Sequence, residues 1–194
     1  MAKEIGIRLG GSGGQGVILC SVILAKAALA GGGYAAQSQS YGPAARGGAC
    51  KAEMVHSDAP IDFPKVEESD FFLALTQSAL EKYLPQAKPG SIVMIDESLT
   101  MPAGAAGYTL YRLPILDTAA EKLGKPMVAN IVACGAINAC LGLAAPEVLE
   151  GAVLSSVPAG TEDLNRAALL EGEKLFARTA RFDTAAAPCD NAMR

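Results

Sequence analysis

Glycines dominate the segment from Leu9 to Val17, where five of the seven positions 10–16 are glycine. The apolar run Ile5–Leu9 before it is typical of a buried strand, and the run Val17–Ala30 after it is typical of a helix. A glycine turn between a strand and a helix gathers unpaired backbone N–H groups at the positive end of the helix. Such a turn holds a phosphate group, or it serves only to let the strand and the helix pack closely.

The same glycines match two familiar nucleotide-binding patterns only in part. Gly11, Gly13 and Gly16 have the G-x-G-x-x-G spacing of a dinucleotide fold, which also requires an acidic residue about 20 positions further on. The second predicted strand, Tyr34–Ser40, contains neither Asp nor Glu. A P-loop has lysine directly after its last glycine, whereas this chain has Val17. Both patterns are therefore disfavoured.

A second polar segment follows the strand Tyr34–Ser40 and contains Tyr41, Arg46 and Gly47. The guanidinium of Arg46 is permanently charged and planar, which suits a phosphate or a carboxylate, and a salt bridge or a partner-chain contact suits it equally. The hydroxyl groups of Ser40 and Tyr41 are further donors, although short polar residues before a turn often bond only to their own backbone. Gln15 either points its amide into the same site or caps the helix that follows.

Cysteine and histidine give little support for metal or thiol chemistry. None of the five cysteines forms a C-x-x-C pair, and the single histidine, His56, is predicted to be a surface or hairpin residue. Cys20, Cys134 and Cys140 lie in apolar helical runs, where a buried thiol is expected. No metal site is predicted, and Asp96 at a strand end is left as a helix cap, a ribose ligand or a partner contact.

Composition narrows the function classes. The chain of 194 residues has a net charge of −4, contains no Trp and is 5% aromatic, which argues against a nucleic-acid binder. No apolar stretch reaches the length of about 18 residues that a membrane span needs. The first residues lead directly into a strand pattern rather than a signal peptide, so a cytoplasmic location is expected.

Strand and helix patterns alternate along the chain, which predicts an α/β fold. We expect a three-layer Rossmann-like sandwich with a mostly parallel sheet, an antiparallel excursion and a helical C-terminal part. Ala49–Val55 alternates with period two and is predicted to pair near Tyr34–Ser40, as an antiparallel or edge strand. Residues 1–182 are predicted to form one domain and residues 183–194 a loose tail. The remaining predicted strands are Asp70–Leu75, Ser91–Ile95 and Tyr108–Leu113. The remaining predicted helices are one that Thr76 caps and that runs to about Tyr83, Ile115–Leu123, Met127–Leu143, a short one from Pro146, and Glu162–Arg178.

Two motifs together carry a resemblance to a known family. Gly-Gly-Ser-Gly-Gly-Gln-Gly at 10–16 and Gln-Ser-Gln-Ser-Tyr-Gly-Pro-Ala-Ala-Arg-Gly-Gly at 37–48 resemble the two signatures of the gamma subunit of 2-oxoacid:ferredoxin oxidoreductases, the pyruvate/ketoisovalerate oxidoreductase gamma domain. The size of the chain is most similar to that of separate gamma chains of the 2-oxoglutarate and branched-chain (ketoisovalerate) enzymes. The small subunit of indolepyruvate oxidoreductase is a related alternative.

The resemblance implies a role as one subunit of a complex, inactive alone, that converts a 2-oxoacid, coenzyme A and oxidised ferredoxin to acyl-CoA, CO2 and reduced ferredoxin. It implies that this chain contributes to binding coenzyme A, while thiamine diphosphate, Mg²⁺ and iron–sulfur clusters belong to partner alpha, beta and ferredoxin-like delta subunits. No residue of this chain receives a catalytic role. The residues expected to contact coenzyme A are Gly11, Ser12, Gly13, Gly14, Gln15, Gly16, Ser40, Tyr41, Arg46 and Gly47.

Two functions from other classes remain open on the sequence alone. The first is a free-standing nucleotide-binding dehydrogenase, which the missing acidic residue after the second strand disfavours. The second is a structural subunit whose glycine loop contacts a partner chain and no ligand. The high apolar content, 51%, and the low charged content, 19%, suit a protein with large buried interfaces.

Overall fold

The computed structural model describes residues 4–40, 48–179 and 182–183. The strands are β1 (Glu4–Ser12), β2 (Tyr34–Ser40), β3 (Ala49–Ser57), β4 (Ser69–Ala74), β5 (Ala87–Asp96), β6 (Thr109–Leu113) and β7 (Phe182–Asp183). The helices are α1 (Val17–Ala30), α2 (Gln77–Tyr83), α3 (Ile115–Asp117), α4 (Ala129–Leu141), α5 (Pro146–Leu154) and α6 (Glu162–Arg178). Phe182–Asp183 pairs with β6, and the rest of the predicted tail, residues 184–194, lies outside the described residues.

The described strands form one sheet in the order β2-β3-β1-β4-β5-β6-β7. β1, β4, β5 and β6 are parallel neighbours, while β3 runs antiparallel to both β1 and β2. The predicted α/β sandwich with an antiparallel excursion is confirmed. The alternative of β3 as an edge strand is wrong, because β3 is hydrogen-bonded on both sides and separates β2 from β1.

Side chains alternate across the sheet, so each face has its own apolar cluster. On β4, Phe71 and Leu73 join the cluster under α1, α4, α5 and α6, whereas Phe72 and Ala74 join the smaller cluster under α2. Because both faces of β4 are buried, its sequence contains an unbroken run of apolar residues. The structure is thus the predicted three layers, with the C-terminal helices on one face.

Arg8 departs from this apolar pattern, because it is a charged residue that is only 1% exposed at the middle of β1. Its Nε donates to Glu53 Oε1 on β3 at 2.6 Å, its Nη1 donates to the carbonyl of Gln86 at 3.0 Å, and its Nη2 donates to that of Val66 at 2.8 Å. A buried charge needs such partners to offset the loss of hydration.

Three elements differ from the predictions in their boundaries. Strand β5 begins at Ala87 rather than Ser91, so Pro89 and Gly90 lie within it, where the pairing with β4 shifts register and Gly90 takes a φ of 81°. Ile115–Asp117 forms a single helical turn that continues as a π-helical turn over Thr118–Lys122, rather than one helix to residue 123. Helix α4 begins at Ala129 rather than Met127, after a 3-10 turn at Pro126–Val128.

Helix α4 is fixed against α6 by a backbone-to-backbone crossing. A side chain at Gly135 would collide with the carbonyl of Leu169, and one at Gly172 would collide with the carbonyl of Val132. Glycine at both positions therefore allows an approach that alanine would prevent. The same helix α4 passes beneath the glycine loop on its other side, so this crossing helps to position the candidate site.

Candidate functional site

The glycine loop lies at the carboxyl edge of the parallel strands, between the end of β1 and the start of α1. The N–H of Leu75 at the end of β4 donates to the carbonyl of Gly10 at 2.9 Å, which holds the neighbouring strand ends together. In open α/β sheets, ligands bind at this edge. The loop thus has the location that the sequence predicted.

Gln15 closes the loop through its own side chain. Its Oε1 accepts from the backbone N–H of Ser12 at 2.8 Å, and its Nε2 lies 3.4 Å from the carbonyl of Leu75. A Cβ at Gly11 would lie 2.7 Å from Gln15 Oε1, so glycine is required there for this closure. Of the two roles left open for Gln15, the cap of α1 is wrong, because α1 has no side-chain cap and the amide ties the loop to Leu75, directly after β4.

The start of α1 offers a set of free donors. The N–H groups of Gly13, Gly14 and Gly16, and those of residues 17–19 in the first turn, make no hydrogen bond with the described residues. The first turn carries no acidic side chain, so the positive end of the helix dipole is not neutralised locally. Gly14 and Gly16 have φ values of 95° and 71°, in the region that glycine adopts readily. This arrangement suits an anion such as a phosphate.

Asn130 of α4 lies directly against this loop, and the sequence analysis did not place it in the site. A Cβ on Gly16 would lie 2.5 Å from Asn130 Nδ2. The side chain is 5% exposed and makes no hydrogen bond with the described residues. The signal in the sequence was weak, because Asn130 is one of two asparagines in the mainly apolar run of α4.

The second polar segment is only partly described. Ser40 is the last residue of β2 and pairs with Lys51 of β3, so the chain after it starts at the carboxyl edge of the sheet. Tyr41, Arg46 and Gly47 lie outside the described residues. Their predicted contacts with a ligand stay predictions.

The other polar residues at this edge are used by the fold. Asp96, which is 2% exposed, accepts from the N–H of Leu116 at 2.9 Å and from the N–H of Ser98 at 3.1 Å. Asp96 thus holds one N–H of the first turn of α3 from outside that helix, whose own N-cap residue, Pro114, makes no side-chain bond. The roles of ribose ligand and partner contact stay predictions. Thr76 accepts from the N–H of Ala79 at 3.3 Å and caps α2 as expected.

His56 lies away from this site, in the half of β3 that pairs with the start of β1. Its ring lies against Gly33, and its buried Nδ1 has no partner among the described residues. The prediction of a surface or hairpin position is wrong in part, because β3 is an interior strand and the ring is half-buried.

The thiols are arranged for packing. Cys20 and Cys134 are buried with their sulfurs 3.3 Å apart, and burial raises the pKa of Cys134 well above its usual value. Cys140 is half-buried rather than buried, and desolvation raises its pKa to about 11.

In the described ranges, no group of three or more His, Cys, Asp or Glu residues is placed to hold a metal ion. No helix among those ranges has both the length and the apolar character needed to cross a membrane.

Comparison with known proteins agrees on one family. The family model described as pyruvate ferredoxin/flavodoxin oxidoreductase matches residues 6–175. The subunit KorC of 2-oxoglutarate synthase from Methanocaldococcus jannaschii is 47% identical over 175 residues, covering 89% of this chain and 92% of the relative.

Two solved structures share the fold. The gamma subunit of a keto/oxoacid ferredoxin oxidoreductase from Geobacter sulfurreducens has a TM-score of 0.82 and 43% identity, covering 92% of this chain and 99% of that one. A 2-oxoglutarate:ferredoxin oxidoreductase from Magnetococcus marinus, solved with 2-oxoglutarate, coenzyme A and succinyl-CoA bound, has a TM-score of 0.83 at 20% identity. The match covers 95% of this chain and 33% of that longer one, and it shows a common fold alone.

Proposed function

Because the chain belongs to the pyruvate ferredoxin/flavodoxin oxidoreductase family, we propose that it is the gamma subunit of a 2-oxoglutarate synthase. The complex would convert 2-oxoglutarate, coenzyme A and oxidised ferredoxin to an acyl-CoA, CO2 and reduced ferredoxin. The strongest support is the 47% identity to a KorC subunit over nearly the full length of both chains. The alternatives of an indolepyruvate subunit and a free-standing dehydrogenase have no comparable support.

We propose that the share of this chain in the reaction is to bind coenzyme A and to complete the assembly. Coenzyme A carries a diphosphate and a further phosphate, and the free N–H groups of Gly13, Gly14 and Gly16 can hold phosphate oxygens without any charged side chain. Ser12 and Gln15 form the wall of the same loop, and Arg46 would add a positive charge from the segment outside the described residues. Coenzyme A supplies the thiol that accepts the acyl group.

The partners follow from the same proposal. Thiamine diphosphate, Mg²⁺ and iron–sulfur clusters would be held by alpha, beta and delta subunits, and ferredoxin would meet the complex through those chains. The apolar composition of this chain suits burial between subunits. A cytoplasmic location is part of the proposal.

Gly14 offers a sharp test of the loop, because no atom of the described residues lies within 4 Å of a Cβ placed there. Asp and Asn both tolerate a positive φ better than other residues, so Gly14→Asp and Gly14→Asn differ mainly in charge. In the assembled complex, a carboxylate in the loop should raise the KM for coenzyme A about tenfold or more, since it repels the phosphates at close range. The Asn variant should change that KM far less, and the KM for 2-oxoglutarate should stay constant in both.

An equal KM for coenzyme A in the Asp variant and the unmodified complex would remove the loop from the binding site. The glycines would then serve only packing or contact with a partner chain.

A further inference from the structure

The side chain of Asn130 is unusual among the buried asparagines of the described ranges. Asn138 on the same helix bonds to the backbone of Ala144 in both directions, with Nδ2 donating to its carbonyl and Oδ1 accepting from its N–H, each at 3.0 Å. Asn165 donates from Nδ2 to the carbonyl of Thr161 at 2.8 Å. Asn130 is buried to the same degree and has no partner there. The donors and the acceptor of this amide are therefore not used by the described part of the protein and remain available to a ligand.

The location of the amide indicates where that ligand would bind. Gly16 is the N-cap of α1, the position where Ser, Thr, Asp or Asn usually bonds to the free N–H groups of the first turn. Gly16 has no side chain, and Asn130 Nδ2 occupies the space where that side chain would begin. The amide therefore stands beside the uncapped helix start without capping it. The free backbone donors and the free side-chain amide belong to one small region.

The region is held firmly. One turn further into both helices, Cys20 of α1 and Cys134 of α4 are in contact, and on its far side α4 crosses α6 through Gly135. The Ser21 hydroxyl of α1 is sealed from solvent without a partner, whereas the Asn130 amide is not sealed in this way. A ligand at the loop can thus reach the amide without rearranging the helices.

We infer that Asn130 is a ligand-binding residue of this site, whose amide donates from Nδ2 to a phosphate oxygen of the diphosphate held by residues 13–16. This inference rests on the proposed function, because it takes the ligand to be coenzyme A. An uncharged amide suits the role, since it adds a donor to the backbone N–H groups without altering the charge of the site. A carboxylate of the same shape would oppose the anion.

The test compares Asn130→Asp, Asn130→Ala and the matched control Asn138→Asp in the assembled complex. The Asp variant at 130 keeps the shape of the side chain and should raise the KM for coenzyme A at least tenfold. The Ala variant loses the donor without gaining a charge and should raise it less. The control replaces the Nδ2 donor to the carbonyl of Ala144 and should lower the melting temperature while leaving the KM for coenzyme A unchanged. The KM for 2-oxoglutarate should not change in any of them.

A merely structural Asn130 would give the opposite order. The isosteric Asp variant would then retain the KM for coenzyme A, the Ala variant would lose only thermal stability, and the inference would be overturned. Thiamine diphosphate also carries a diphosphate, so its apparent affinity is measured in the same variants. A shift confined to thiamine diphosphate would overturn the assignment of Asn130 to coenzyme A.

The Gly14 pair separates the inference from the function that it rests on. If Gly14→Asp raises the KM for coenzyme A and Asn130→Asp does not, the loop binds coenzyme A without Asn130. If neither variant changes it, the proposed binding site fails along with the inference.

Discussion

Replacing Gly16 with alanine should destabilise the chain for two separable reasons. The φ of 71° places a non-glycine residue in the left-handed region, at a cost of about 1–2 kcal/mol. The new Cβ would also lie 2.5 Å from Asn130 Nδ2, and overpacking of this kind costs about 1–3 kcal/mol. Together these terms predict a loss of about 2–5 kcal/mol in the free energy of unfolding.

Two further variants separate the terms. Gly14 has a φ of 95°, and in the part of the chain that the structure describes no atom lies within 4 Å of its Cβ position, so Gly14→Ala should cost only the conformational part, about 1–2 kcal/mol. In an Asn130→Ala background the amide is removed and the Cβ of residue 130 stays, 3.2 Å from the Cβ position of Gly16, so Gly16→Ala should there cost little more than the conformational part. The double-mutant cycle should therefore show a coupling of about 1–3 kcal/mol between positions 16 and 130.

Urea unfolding of the full chain, followed by circular dichroism, measures all four variants at a common m-value. Equal costs for Gly14→Ala and Gly16→Ala, with no coupling between Gly16 and Asn130, would refute the contact from which the binding role of Asn130 is argued.

Two further predictions concern the helices that hold the site. Gly135→Ala should cost about 3 kcal/mol or more in the free energy of unfolding, because its Cβ meets the backbone of α6. In the control Gly151→Ala the new Cβ meets no described atom, so this change in α5 should stabilise the chain by about 0.5–1 kcal/mol. Equal effects of the two variants in urea unfolding would contradict the close crossing of α4 and α6. The hydrogen bond from Lys122 holds the pKa of Glu171 below its usual value, so its stabilising effect is present above the unfolded pKa and lost as the pH falls through the lowered one. Glu171→Gln should thus cost about 1 kcal/mol or less at pH 7 and nothing at low pH, and a difference that persists at low pH would contradict this origin.

The sequence predicted the fold well where the pattern was local. The apolar run of β4 and the period-two pattern of β3 each indicated a strand, because burial on one face or on two leaves a visible trace. The position of β3 between β2 and β1 could not be predicted from a local pattern, because strand order depends on contacts between residues that are far apart in the sequence. The bulge around Gly90 was also hidden, because Pro and Gly usually mark the end of a strand.

The candidate site was predicted unevenly for related reasons. The loop at residues 10–16 was evident because glycines carry a backbone requirement in their own identity. The closure by Gln15 depends on the position of Leu75, and the approach of Asn130 depends on how α4 crosses α1, so neither follows from spacing. The part of the site that rests on Arg46 stays a prediction from the sequence.

The central claim is that this chain works as the coenzyme A-binding gamma subunit of a 2-oxoglutarate synthase. The most direct measurement is purification of the tagged chain from its native cell, followed by an assay of ferredoxin reduction. We predict co-purification of a thiamine diphosphate-binding chain and an iron–sulfur chain, with reduction that requires both 2-oxoglutarate and coenzyme A. Recovery of the chain alone, as a monodisperse protein that binds NAD(P)H, would contradict the claim and favour a dehydrogenase.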